Sequence, residues 1–286
     1  MADTAAGPRR LSFDRLGRWL GGAALAASIA FIGDRLWRLD WSSLQPHATW
    51  QLGAAMVGAP LLFAAADRAL AQGWAATADP EGQVPRAELA GIYARGVLMK
   101  YLPGSVFQYV SRQVGGARAG LAHKRLAQAS IVEVGLHLVS SLSVAGACLV
   151  LDRMPVAVGI GAAALAGLYL TTRNRWLTAF AFQILAFTLF AGAAALVGWA
   201  ILPEGLSLAH FAALFLLAWL AGFVVPVAPG GIGVREAALL ALAGPAVAAV
   251  AAAPLMAATL ALRASSIAGD LLYGLLTLAA GRRSRA

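Results

Sequence analysis

From Trp176 to Ile201 no side chain is charged, and the same holds from Gly205 to Val234 and from Ala237 to Leu262. A helix that lies on a soluble core needs a polar face along its length, and these stretches lack one. Apolar runs of about 20 residues match the hydrocarbon thickness of a bilayer. Such runs recur from Leu16 to Ala280, so the expected fold class is an all-α polytopic membrane protein. The charged fraction of 12% against a hydrophobic fraction of 60% agrees. A soluble domain carries roughly 25% charged residues and can cover a wet surface with them.

Eight spans are expected, at about 17–33, 50–73, 126–150, 155–171, 177–201, 208–225, 237–252 and 254–280. Residues 1–16 and 282–286 would be short tails, and 17–281 a single transmembrane domain. The longest polar-leaning region, Ala75 to Arg125, is itself interrupted by apolar residues and leaves no room for a soluble domain.

Basic residues orient the spans. With the N-terminus in the cytoplasm, the inside segments hold Arg9, Arg10, Arg15 and Arg18, seven residues between Arg86 and Arg125, then Arg173, Arg175, Arg235, Arg282, Arg283 and Arg285. The outside segments hold Arg35, Arg38 and Arg153. That asymmetry places both termini in the cytoplasm. The net charge of +9 is then read as basic loops meeting anionic lipid heads, not as a nucleic-acid surface, since no basic cluster interleaved with aromatics is present. Cys148 is the only cysteine, which excludes an intramolecular disulfide and a cysteine metal site. Bulky Phe31, Leu36 and Trp37 follow the first apolar run where a cleavage site would need small residues, so that run is read as an uncleaved span.

Two segments break the helical pattern. In Val224–Leu239, "VVPVAPGGIGVREAAL", Pro226 and Pro229 end a span, and Gly230, Gly231 and Gly233 permit left-handed backbone. A helix restarting near Val234 would present free N–H groups and the positive end of its dipole, suited to a phosphate or carboxylate, with Arg235 beside it. The alternative is a plain cytoplasmic turn with Arg235 and Glu236 in water. A dinucleotide fingerprint does not fit, because Glu236 occupies the place of the third glycine, and a P-loop lacks its Gly-Lys-Ser/Thr. In Lys100–Arg112, "KYLPGSVFQYVSR", Pro103 and Gly104 again interrupt an apolar approach that ends in Arg112. The preceding segment puts Leu89, Ile92, Tyr93 and Gly96 on one face, which points to an interfacial or re-entrant helix, or to an ordinary amphipathic loop helix. Paired Pro-Gly breaks in two halves of a membrane protein are a transporter feature.

Charges inside spans complete the pattern. Glu133 lies in the third span with His137 one turn on, and Arg263 lies in the last span with Ser266 and Asp270. A charge at a span centre costs roughly 2.5–3.5 kcal/mol on insertion scales, so it faces a partner or a cavity. Glu133, Arg235 and Arg263 would line a polar chamber. Alternatively, Arg263 pairs with Glu133 or Asp270 and locks helices. Asp67 and Arg68 would snorkel or pair locally. Glu133 and His137 lack a third metal ligand.

"KYLPGSVFQYVSR", the glutamate of "ASIVEVGLHL", "PGGIGVREAAL" and the arginine of "ATLALRASS" together resemble the transmembrane domain family of lysylphosphatidylglycerol synthase, the flippase half of multiple peptide resistance factor. The resemblance covers about Trp50 to Gly281. It implies movement of a polar-headed lipid, a phospholipid or a polyprenyl-phosphate-linked sugar, between leaflets of a bacterial cytoplasmic (inner) membrane. Nucleotide hydrolysis, a cofactor and a metal are not implied. The site it implies comprises Pro103, Gly104, Arg112, Glu133, Gly230, Gly231, Gly233, Arg235, Glu236 and Arg263. The sequence stops at Ala286, without the soluble aminoacyl-transfer domain of the full synthase, so lysyl-lipid synthesis is not expected. Two other classes stay open: a membrane-embedded lipid-sugar transferase, against which no nucleophile–base spacing, Asp-rich motif or His cluster is found, and a non-transporting partner of a lipid-modifying enzyme or glycosyltransferase.

Overall fold

The computed structural model describes residues 34, 37, 49–101, 106–151, 174–224, 231 and 233–283. The tail 1–16, the expected spans at 17–33 and 155–171, and Pro103, Gly104, Pro226, Pro229 and Gly230 lie outside the described residues. Within them, the bounded elements are helices α1 (Thr49–Ala78), α2 (Arg86–Met99), α3 (Phe107–Arg118), α4 (His123–Leu151), α5 (Arg175–Ile201), α6 (Leu208–Val224) and α7 (Val234–Arg283), and there is no strand.

Four stretches are long and apolar enough to cross a membrane: Trp50–Ala78, His123–Val150, Arg175–Ile201 and Ala252–Gly281. Their outer faces carry exposed Val57, Leu61, Ile131, Val139, Leu275 and Leu276. Such a spread of large apolar side chains is unfavourable against water and ordinary against lipid tails. The chain is thus an all-helical protein with the helices of a membrane protein.

Local chemistry sets several ends. Asn174 caps α5 by accepting from the Trp176 amide at 2.9 Å, and Ser207 caps α6 by accepting from His210 at 3.1 Å. Beyond α1, fully buried Asp79 accepts from the amides of Gln83 and Val84 at 2.9 and 2.8 Å, which closes the turn into α2. One expected boundary is lost. The spans at 237–252 and 254–280 were to part near Pro254, yet Pro254 is helical and the left-handed residue is Gly244, at φ 79°. α7 therefore runs through residue 253 without a break, and Gly244 is a left-handed residue within it, a conformation open to glycine.

α1 and α5 form the most extensive pair, joined by α7 on the other side of α1. Fully buried alanines, Ala55, Ala59 and Ala66 on α1 and Ala186, Ala193 and Ala194 on α5, belong to one core with Trp74, Phe187, Leu216 and Leu262. Small residues let helix backbones approach where lipid offers no hydrophobic drive for association. α2 packs on α3 and α7 with Leu89, Ile92, Tyr93 and Gly96 inward, the face expected for it. α3 reverses the pattern of a surface helix: Val106, Phe107, Val110 and Val114 are exposed at and after its start, while Arg112 and Gly116 are buried.

Candidate functional site

All seven helices contribute to the lining of a cavity of ≈ 480 Å³, α5 through Phe190. Arg112, Glu133, Gly231, Arg235 and Arg263 all line it. Glu236 lines a small recess beside it, together with Arg235 and Arg263. Gly233 lies at the start of α7, while Pro103, Gly104 and Gly230 are outside the described residues. Residues from two separate broken segments and two spans therefore meet in one place.

The pairing of charges differs from either pairing expected for Arg263. Glu133 joins Arg112: Arg112 Nη1 donates to Glu133 Oε2 at 2.5 Å, and Tyr93 Oη donates to Oε1 at 2.7 Å. Both carboxylate oxygens are thus engaged by the wall. The guanidinium also lies against the rings of Tyr93 and Tyr109, at 4.6 and 4.9 Å to their centroids. A cation seated on aromatic faces keeps some electrostatic stabilisation after leaving water. Asp270 is bound by Lys100 Nζ at 2.7 Å and by the Tyr101 hydroxyl. Arg263 Nη1 stands 3.7 Å from Glu236 Oε1.

Glu236 has a second role. Its Oε2 accepts from the Gly233 amide at 2.7 Å, while the Gly233 carbonyl accepts from Ala237 at 3.0 Å. Gly233 is the N-cap and Glu236 the third helical residue, so the carboxylate reaches back as in half a capping box. The alternative reading, a plain turn with Glu236 in water, does not hold for this side chain, which is 1% exposed. The Gly233 amide that was to meet a ligand is already occupied by the protein's own carboxylate.

Arg235 is placed by two glycines. A Cβ on Gly222 would lie 2.5 Å from Arg235 Cγ, and one on Gly231, at φ 71°, would lie 2.9 Å from both Arg235 Nε and the Gly222 carbonyl. Any side chain at either position would close the slot through which Arg235 reaches the cavity. Its guanidinium then sits 5.4 Å from the Trp219 ring, and Trp219 stacks on Phe223 at 5.2 Å. Arg235 Nε makes no hydrogen bond among the described residues.

His137 turns its Nδ1 to the Glu133 carbonyl at 2.8 Å and packs among Phe187, Trp219 and Phe223. Among the described residues, no group of three or more His, Cys, Asp or Glu side chains is arranged to hold a metal ion.

Sequence reasoning missed Lys100, Tyr101 and Asp67 as lining residues. Asp67 neither snorkels nor reaches solvent: it is 4% exposed and faces the cavity. Its position on α1 gave no sign of this, because the side that α1 turns inward is set by packing on α5 and α7. The cap at Gly233 did have a signal, a glutamate three residues after the cap position and before an apolar run.

The site thus offers an aromatic and cationic lining, with Arg235 from the start of α7, Arg263 from its interior, and carboxylates held in place by arginine, tyrosines, lysine or backbone. Compared with known protein families, with curated proteins and with solved structures, the chain matches none.

Proposed function

We propose that the protein moves a phosphate-bearing lipid between membrane leaflets, the head group crossing the cavity while the tails stay in the bilayer. The observation that carries this reading is one cavity of ≈ 480 Å³ bearing Lys100, Arg112, Arg235 and Arg263 within an apolar helical chain. Cations that face a cavity between membrane-type helices mark a path for a polar species. Arg235 is the preferred phosphate ligand, since its Nε retains an unused donor among the described residues and Trp219 supports its plane. Arg263 shares the recess with it. The phosphate would meet these guanidinium groups and not the first amide of α7, where Glu236 already sits. Arg112 and Glu133 act as a fixed strut in the wall.

In this reading the chain is a multi-pass protein of about eight spans with both termini in the cytoplasm. The segments around residues 100–112 and 224–239 are re-entrant or interfacial. The apolar outer face and buried arginine of α3 support that placement for the first of them. The resemblance to the lysylphosphatidylglycerol synthase transmembrane family supports a lipid cargo, and with it a bacterial cytoplasmic membrane.

The test is leaflet exchange in proteoliposomes, using head-labelled anionic phospholipid, aminoacylated phospholipid and polyprenyl-phosphate sugar. Exchange of one class above protein-free vesicles, reduced at least tenfold by Arg235→Ala with folded protein retained, is expected. Equal exchange by wild type and Arg235→Ala would remove the assigned phosphate site. No exchange of any class by folded wild type would remove the transport reading.

A further inference from the structure

Asp67 of α1 and Asp270 of α7 are 4% and 3% exposed, and both face the cavity. Close approach of the two helices brings them together. A Cβ on Gly269 would fall 2.5 Å from Phe63 Cβ and 2.8 Å from the Pro60 carbonyl, so only a glycine lets α7 lie this near α1. The two carboxyl groups lie close enough to act on each other. Two carboxylates that face each other away from water repel, so the pair holds together when one of them carries a proton.

The surroundings count the charge. Lys100 Nζ is 2.7 Å from Asp270, and the Tyr101 hydroxyl donates to the same carboxyl. One lysine thus compensates one carboxylate. Asp67 Oδ2 has no hydrogen-bond partner among the described residues. Tyr93, Tyr101 and Tyr273 also act on Asp67, and Arg68, next to it on α1, is exposed and turned to Gln72. Arg235 and Arg263 line the same cavity and share its recess with Glu236. Arg112 and His137 are turned to Glu133, and α5, which packs most extensively on α1, carries no charged residue after Arg175. An isolated ionised carboxylate away from water is strongly unfavourable and takes up a proton instead.

We propose that the Asp67–Asp270 pair is the proton-binding site of this cavity and that it couples lipid movement to the proton gradient. The coupling rests on the transport reading above; the proton itself does not. In the step proposed, the carboxyl O–H of the pair breaks on one side of the membrane and its proton passes to water. On the other side, water returns a proton and the O–H bond re-forms. Nothing is oxidised or reduced. An anionic head bound at Arg235 favours the protonated pair, and the protonated pair favours the anionic head by the same factor. The two are therefore taken up together and released together, and the lipid moves from the acidic to the alkaline side.

Two measurements test this. Infrared difference spectra of reconstituted wild type should contain a protonated-carboxyl C=O band that titrates and is lost in both Asp67→Asn and Asp270→Asn. Lipid exchange with labelled anionic phospholipid and polyprenyl-phosphate sugar should then run several-fold faster towards the alkaline side, and reverse when the gradient is reversed. Asp67→Asn should exchange lipid at equal rates in both directions. A missing carboxyl band at every pH overturns the proton site. A band with equal wild-type rates under both gradients overturns the coupling. A band with no lipid exchange under any gradient overturns the transport reading and the coupling with it, and leaves the proton site standing.

Discussion

The Arg112–Glu133 pair gives the most quantitative test of how closed the cavity wall is. The two side chains are 5% and 3% exposed and meet at 2.5 Å. Replacing Glu133 with alanine leaves a guanidinium buried without its counter-charge, and breaking a buried pair in this way costs about 3–5 kcal/mol. Arg112 would keep the rings of Tyr93 and Tyr109. Each such contact is worth about 0.5–2 kcal/mol, which places the expected loss near the lower end, at about 3 kcal/mol. For a chain of this size that lowers the melting midpoint by roughly 6–12 °C. The assay is thermal loss of the monodisperse species in detergent for Glu133→Ala, Arg112→Met and the double variant. The double variant should lose less than the sum of the singles, because no buried charge is left behind. A coupling below about 1 kcal/mol is what water-exposed pairs give, and would refute the view that this pair is a desolvated strut.

Gly269→Val should lower the midpoint by the equivalent of about 1–3 kcal/mol, because its side chain would overlap Phe63 and the Pro60 carbonyl. Gly53→Ala, where nothing lies within 4 Å, serves as the control and should leave the midpoint unchanged or raised. Equal midpoints for Gly269→Val and wild type would mean that α1 and α7 are not in contact there. Glu236→Ala should cost roughly 1–3 kcal/mol, through the lost acceptor for the Gly233 amide and the lost partner of Arg263. Glu236→Gln keeps an acceptor for the amide and should cost less; an equal loss in chemical denaturation would assign the whole effect to charge.

The apolar helices were legible because apolar length is a local property. The expected spans at 50–73, 126–150 and 177–201 correspond to α1, α4 and α5. The left-handed glycines ahead of α7, Gly231 and Gly233, were legible because glycine acts on its own backbone. Gly244, also left-handed, was not singled out, while Pro254 continues the helix, as a proline can where neighbours satisfy the freed carbonyl. Partners of charges were the least legible. Glu133, Arg112 and Tyr93 come from α4, α3 and α2, and no periodicity links residues on different helices. Asp67 was assigned to the wrong environment because its inward direction follows from the contacts of α1, not from its place along α1.

The pairing inside the cavity bears on what the cavity can do. A site built to hold a ligand tightly leaves donors and acceptors waiting for it. Here Glu133 is filled by Arg112 and Tyr93, Asp270 by Lys100 and Tyr101, and the Gly233 amide by Glu236. An entering head group exchanges bonds as much as it gains them, and its binding energy is correspondingly small. That is the condition for passage, where a polar species must bind well enough to enter and weakly enough to leave. A head group bound with a Kd weaker than about 10 μM by the purified protein fits a carrier. Binding in the nanomolar range, about 12 kcal/mol, would mean that the head group keeps most of the bonds it gains, and would turn the assignment towards a storage or catalytic site.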